Sequence, residues 1–343
     1  MMNVYKLIAP GEIKKEESEI KAPDEDELLI KVKNIGLCGS DLHLYRGTYS
    51  GPNAYPIMFG HEWSGVVEEV GSAVKGFKEG DKVTGDCSKF CGQCDNCSKD
   101  KNLCRHIEKF GITTDGASAD YITRKAMYCY KADDDADLKL LALTEPVSVA
   151  MHLIKKVSRA AGDIQNKKIL VYGGGAIGQA ALLILKNKYH CPDVALSDLI
   201  PFRMELASKL GARKPDSCEL TWNVDESYEN MYNLTTFDII IETTGVGSVF
   251  ANALRLLRPM GILGCVGMIS DVSIEQKLIV TKALTVIGSI GGTGEFEEVM
   301  KFIHDNEKEA SLLISHNPDI ENVDQGFAIA MDQQSAMKVI FNV

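Results

Sequence analysis

No stretch of the 343-residue chain supplies the roughly 18 consecutive apolar residues that a membrane span needs, so a membrane-spanning role is not expected. A basic cluster is missing too. The 37 Lys and Arg residues are scattered among 48 Asp and Glu, for a formal charge of −11, and neither a nucleic-acid backbone nor an anionic membrane is an expected partner. The N-terminal MMNVYKLIAPGEI has one early lysine and only a short apolar run before Pro10 and Gly11. That is not a secretory signal, and the expectation is a soluble, cytoplasmic protein. Without a signal, ten cysteines are poorly explained by disulfides; four of them crowd into residues 91–104, and metal is the better reading. Internal repeats and low-complexity linkers are also absent.

What is present is ordinary globular composition, 45% hydrophobic and 25% charged, with length for about two domains. Residues 1 to about 150 carry short β-rich runs between turn signals, at 28–32, 65–71, 81–83 and 120–123, and read as a largely β domain. The charge-rich segment 12–27 reads as a solvated hairpin edge. From residue 167 the texture alternates: strand and turn in ILVYGGG, helix in AIGQAALLILKNK, strand in VALSD, helix in PFRMELASKLGA, then strands in FDIIIETTG and GILGCVGM. Such βα alternation implies a doubly wound parallel sheet, an α/β fold. After 285–288 a helical stretch and a last strand, MKVIFNV, return to the first domain. The expected division is 1–151 with 286–343, and 152–285.

Gly173, Gly175 and Gly178 supply G-x-G-x-x-G, with Ala176 and Ile177 between the last two, directly after the apolar run 169–172 and before an apolar helix. Gly173 suits the tight turn, Gly175 the approach of a pyrophosphate, and Gly178 the close packing of helix on strand. The phosphates would sit at the helix N-terminus. Asp198 ends the next strand, where an acid grips ribose hydroxyls and repels a 2′-phosphate, so NAD is favoured over NADP. Arg203 nearby reads as a helix-surface residue, a lid on the adenine, or a partner for that phosphate.

Cys91, Cys94, Cys97 and Cys104 fit a closed four-thiolate zinc site of structural role, ahead of an iron–sulfur cluster or a redox pair. Cys38 and His61-Glu62 are dispersed, and their spacing alone does not define a site.

Gly60-His61-Glu62-Trp63-Ser64-Gly65, followed by Gly71 and Val74, resembles the signature of zinc-containing medium-chain alcohol and polyol dehydrogenases. Cys38-Gly39-Ser40-Asp41, the four-cysteine lobe, Glu145-Pro146 and the dinucleotide turn follow in that family's order over essentially the whole chain. The resemblance implies a largely β GroES-like catalytic domain beside a Rossmann domain, with one catalytic and one structural zinc. It implies Cys38 and His61 as ligands of the catalytic zinc, Glu62 as a ligand or its immediate neighbour, and Glu145 as the acid that approaches the metal or holds its water. Asp41 would fix the His61 imidazole, Ser40 would take the substrate proton, and His43 would be a later member of the relay. Zinc chemistry suits the task, since an alcohol proton is too weakly acidic at neutral pH without a Lewis acid. The active site is expected in the cleft between the domains.

Family members usually place seven residues between the third and fourth lobe cysteines; here there are six, and Cys87 is the substitute should Cys104 not reach. The run 145–152, EPVSVAMH, resembles the sorbitol (polyol) dehydrogenase branch, and stretches 44–47, 60–65 and 111–117 are similar to 2-deoxy-scyllo-inosamine dehydrogenases. The expected substrate is a small-molecule alcohol, a polyol, sugar alcohol or aminocyclitol. L-threonine 3-dehydrogenase is the alternative, and a non-catalytic dinucleotide-binding protein or a zinc-free quinone reductase stands further off. By the same resemblance a homodimer or homotetramer is expected, joined through exposed strand edges of the cofactor domain. Trp63 reads as a core aromatic and Arg46 as a surface charge or a substrate contact.

Overall fold

The computed structural model describes residues 1–222, 227–233 and 236–343. The chain divides into two units, Met1–Ser148 with Gly291–Val343, and Val149–Ile290. Among the described residues no helix is long and apolar enough to cross a membrane.

In the first unit the strand Glu27–Gly36 is the hub, because Leu28, Ile30, Val32 and Ile35 all go to the core. It pairs antiparallel with Glu62–Val70, Tyr121–Lys125 and Lys338–Asn342. The sheet runs from Cys129–Lys131 through Lys82–Gly85, Glu62–Val70, Glu27–Gly36 and Lys338–Asn342 to Ile314–His316. Register matters here: Gly36 lies opposite Glu62, so the chain entering Cys38 runs beside His61-Glu62. A Cβ at Gly36 would run into the Glu62 side chain. Trp63 is fully buried, as a core aromatic should be, and Phe59 packs edge-on against Phe327 at 5.1 Å and Phe341 at 6.4 Å. Arg46 is exposed at the end of helix Gly39–Arg46. The charge-rich strand Glu12–Ser18 lies at the open edge of a small second sheet beside Met2–Ala9, where its charges discourage further pairing.

In the second unit five strands are parallel throughout, in the order Val194–Ser197, Ile169–Tyr172, Phe237–Glu242, Leu257–Cys265, Thr285–Gly288. Ile169, Leu170, Val171, Ile240 and Ile241 are fully buried, the unbroken apolar runs that a sheet covered on both faces requires. The second strand of the chain order lies on one side of the first and the others on the opposite side. That reversal makes a switch point at the carboxyl end of Ile169–Tyr172, where doubly wound sheets bind ligands.

Candidate functional site

Cys38 caps the N-terminus of helix Gly39–Arg46. The cap is fixed by Asp41, fully buried, whose Oδ2 accepts the Cys38 amide at 2.8 Å and whose Oδ1 accepts the Gly60 amide at 3.1 Å. One carboxylate therefore ties together the two segments that carry Cys38 and His61. Burial raises the Asp41 carboxyl and the neighbouring His61 ring pulls it back down, while the helix start and the Gly60 turn supply amides that need an acceptor. Gly60 has φ +80°, a left-handed conformation that turns the chain into strand Glu62–Val70.

The structure brings one donor atom each of Cys38, His61 and Glu62 within 4.8 Å of one another, and likewise of His61, Cys87 and Glu145. His61 Nδ1 is buried without a hydrogen-bond partner among the described residues. An orphaned imidazole nitrogen among thiols and carboxylates fits a zinc ion, whose ligands are these types. Glu62 is already engaged: both oxygens accept from Lys338 Nζ, at 2.7 and 2.6 Å, and the same ammonium donates to the Leu37 carbonyl at 3.0 Å. Burial opposes the Lys338 charge, but Glu62 and Cys38 outweigh it and hold the ammonium above the ordinary lysine range. Burial, with the Glu62 charge adding, pushes the Cys38 thiol up to about 11. Glu145, in the first turn of helix Thr144–Ala161, is pushed up to about 8 by burial. Ser40 Oγ is enclosed beside the Cys38 thiol, whereas His43 is exposed, its Nδ1 2.9 Å from Thr48 Oγ1.

In the lobe the Sγ atoms of Cys94 and Cys97 lie 3.5 Å apart, those of Cys91 and Cys97 3.9 Å, and those of Cys94 and Cys104 3.9 Å. A tetrahedron of thiolates at the usual Zn–S length has edges of about 3.8 Å, so the four fit one zinc. The six-residue loop reaches because Asp100 caps the short turn Lys101–Leu103 through the Asn102 amide, delivering Cys104. Amides of Arg105 and Cys97 pull the Cys94 thiol down to about 6. Cys87 is not in the lobe; it lies with His61 and Glu145.

The dinucleotide turn follows strand Ile169–Tyr172, with Gly173 at φ +105° and Gly175 capping helix Ala176–Asn187, which starts with Ala176 and Ile177. A Cβ at Gly178 would strike the Gly173 carbonyl, whereas one at Gly175 would meet nothing within 4 Å. The first glycine therefore serves packing, and the second leaves room for a phosphate. Asp198 Oδ2 accepts the Gly174 amide at 2.7 Å, Oδ1 accepts the Ile200 amide at 2.8 Å, and Arg203 Nη1 lies 3.5 Å from Oδ2.

Three groups were not anticipated from the sequence in these places. Lys338 carried a signal, a lone lysine in the apolar run MKVIFNV, since a buried lysine needs a partner. Cys87 carried only its residue type. Lys109, which donates to Ser88 Oγ at 2.6 Å, carried none.

Residues 24–134 match the alcohol dehydrogenase GroES-like domain, and residues 176–305 match the zinc-binding dehydrogenase domain. The chain is 30% identical over 332 residues to an L-threonine 3-dehydrogenase of Deinococcus deserti, covering 94% of each. Among solved structures it is similar to an Escherichia coli protein described as a short chain alcohol dehydrogenase and complexed with NADH, at TM-score 0.88 and 27% identity over 100% of this chain and 99% of the other. A galactitol-1-phosphate dehydrogenase from Escherichia coli matches at TM-score 0.84 and 26% identity, over 99% of this chain and 100% of that one.

Proposed function

Because the chain belongs to the zinc-dependent medium-chain dehydrogenase family, we propose that it transfers a hydride from a secondary alcohol to NAD, leaving a ketone, and that the alcohol is a polyol, sugar alcohol or aminocyclitol. The observation that carries this reading is the buried donor set around His61, with its unpartnered Nδ1. Cys38 and His61 are assigned to hold the catalytic zinc, with Glu145 as the acid that approaches it or holds its water, and Cys91, Cys94, Cys97 and Cys104 the structural one. Zinc, when bound, supplies Lewis acidity that lowers the pKa of a hydroxyl. Glu62 stays on Lys338, which leaves a position for substrate. Ser40 Oγ, beside the Cys38 thiol, takes the hydroxyl proton, and His43 on the same helix receives it at the exposed side. The hydride goes to nicotinamide, so alcohol and NAD⁺ become ketone, NADH and a proton. Asp198, held on the Gly174 amide, is assigned to the ribose hydroxyls and so to NAD.

L-threonine is the second reading. A 30% identical relative is named for it, and Lys109 pulls down on Glu145 and Cys87, which burial otherwise pushes up, so a substrate carboxylate would find a cation near the site. Threonine and galactitol-1-phosphate share a secondary hydroxyl beside a carbon bearing nitrogen or oxygen, and the substrate is expected to share it too. The test is NADH formation over sorbitol, xylitol, myo-inositol, 2-deoxy-scyllo-inosamine and L-threonine, with NAD and NADP in parallel. Turnover of a polyol or aminocyclitol with NAD supports the first reading; threonine alone, with KM raised by Lys109→Met, supports the second. We also assign homo-oligomer formation to the open edge of strand Thr285–Gly288, where Val286 and Ile290 are exposed. Val286→Lys is expected to lower the mass measured by light scattering.

A further inference from the structure

Cys87 stands apart from the other cysteines outside the lobe. Cys129 donates to the Lys125 carbonyl at 3.7 Å and Cys191 to the Ile164 carbonyl at 3.5 Å, ordinary settings for buried thiols. Cys87 is buried between strands Lys82–Gly85 and Ser88–Lys89, and among the described residues its thiol reaches one acceptor, the Phe110 carbonyl, at 4.0 Å. Its closest company of chemical consequence is a His61 ring nitrogen and a Glu145 carboxylate oxygen, all within 4.8 Å of one another. Thiolate, imidazole and carboxylate together are zinc's own ligand types, and the thiolate disfavours the hard cations magnesium and calcium.

The two donor groups share only His61. Cys38 and Glu62 form one with it, Cys87 and Glu145 the other, and the five residues do not form a single group at the same spacing. In the first group Glu62 is held by Lys338, so that position offers two free protein donors, Cys38 and His61. In the second all three donors are free of ion pairs among the described residues. Resting on the reading of this site as a zinc centre, we propose that His61, Cys87 and Glu145 form a second position for the same ion, with Cys87 as its thiolate ligand. One ion at a time is held, because the positions share an imidazole. The position with Cys38 leaves room for a substrate oxygen, and the position with Cys87 parks the ion on three protein ligands. Exchange between them also moves one proton: Cys87 gives up its thiol proton as it takes the ion, and the Cys38 sulfur that releases the ion takes a proton up.

Cobalt reports thiolate ligation directly, through a sulfur-to-cobalt charge-transfer absorption. Full-length Cys38→Ser protein, zinc in the lobe and cobalt added at the second site, is compared with Cys38→Ser/Cys87→Ser prepared identically, so that any lobe contribution cancels. Cys87→Ala in the same background is run as a second variant, with circular dichroism to show that each is folded. The expected result is that Cys38→Ser still binds cobalt and keeps a thiolate band, and that both Cys87 variants lose it. A Cys38→Ser protein that binds no cobalt, or whose band is the same with and without Cys87, overturns the proposal. A wild-type protein that holds no metal beyond the lobe zinc overturns instead the reading on which the proposal rests.

Discussion

Replacing Lys338 by Met removes the cation that neutralises a carboxylate in the core of the first unit. Glu62 is fully buried and Lys338 is 4% exposed, so solvent cannot take over the missing partner. Lys338→Met also strips the Leu37 carbonyl of its donor. Breaking a buried pair from one side costs about 3–5 kcal/mol, because the remaining charge is left without compensation. At about 2–4 °C per kcal/mol for a domain of 150–250 residues, the melting temperature should fall by roughly 6–20 °C. Lys338→Met/Glu62→Met removes both charges, and replacing both partners of a buried pair by apolar groups is near neutral, so the double variant should regain most of the loss. Denaturant unfolding of protein that carries the lobe zinc alone, with an unchanged slope, measures all three, because a zinc beside Cys38 and His61 would itself compensate the freed carboxylate. Zinc content of the fully loaded protein is followed alongside, because the freed Glu62 carboxylate lies within 4.8 Å of the Cys38 and His61 donors and competes for the position substrate needs. The single variant should therefore keep its zinc and lose kcat. A Lys338→Met protein within about 1 kcal/mol of wild type, or a double variant no more stable than the single one, would refute the account of this pair as a stabilising charge balance.

The other expectations are independent of it. Asp198→Ala removes charge-assisted hydrogen bonds of about 1.5–3 kcal/mol and frees Arg203, so the ratio of kcat/KM for NAD to that for NADP should drop about 10- to 100-fold. Cys94→Ser should lower zinc from two ions to one per chain by mass spectrometry while leaving the His61 site loaded, the lobe opening to proteolysis near its six-residue loop. Glu219 is opposed by burial, but Arg213, Lys168 and the Asp216 amide hold its carboxyl down at about 2. A depressed carboxylate contributes stability that is complete above its unfolded pKa, so about 2–3 kcal/mol should disappear as pH falls from about 4.5 to 2. Glu219→Gln should flatten that limb of an acid titration followed by circular dichroism.

Features whose chemistry is local were legible in the chain. The dinucleotide turn carries its reasons within six residues: the Gly178 Cα must sit against the Gly173 carbonyl, and only glycine allows it. The lobe is legible for the same reason, since four thiols in 14 residues cannot avoid one another. Strand Met2–Ala9, helix Thr144–Ala161 and helix Val323–Met331 were not read as elements, because their apolar residues are interrupted or were absorbed into motif positions. Lys338 and Glu62 are 276 positions apart, and their meeting depends on a sheet register that composition and period do not specify. Cys87 shows the converse limit. Proximity in sequence tied it to the lobe, yet the turn between Lys82–Gly85 and Ser88–Lys89 carries it to His61.

The interleaving of the two units along the chain has a consequence for biosynthesis. Val149–Ile290 is continuous and can fold as soon as it is made, whereas the other unit must wait for strand Lys338–Asn342 to pair with Glu27–Gly36. Until that strand emerges from the ribosome, Glu62 has no counter-charge and the hub strand Glu27–Gly36, which sets Gly36 beside Glu62, lacks one of its neighbours. The metal centre is therefore completed only at the end of translation, after the continuous unit has had time to fold.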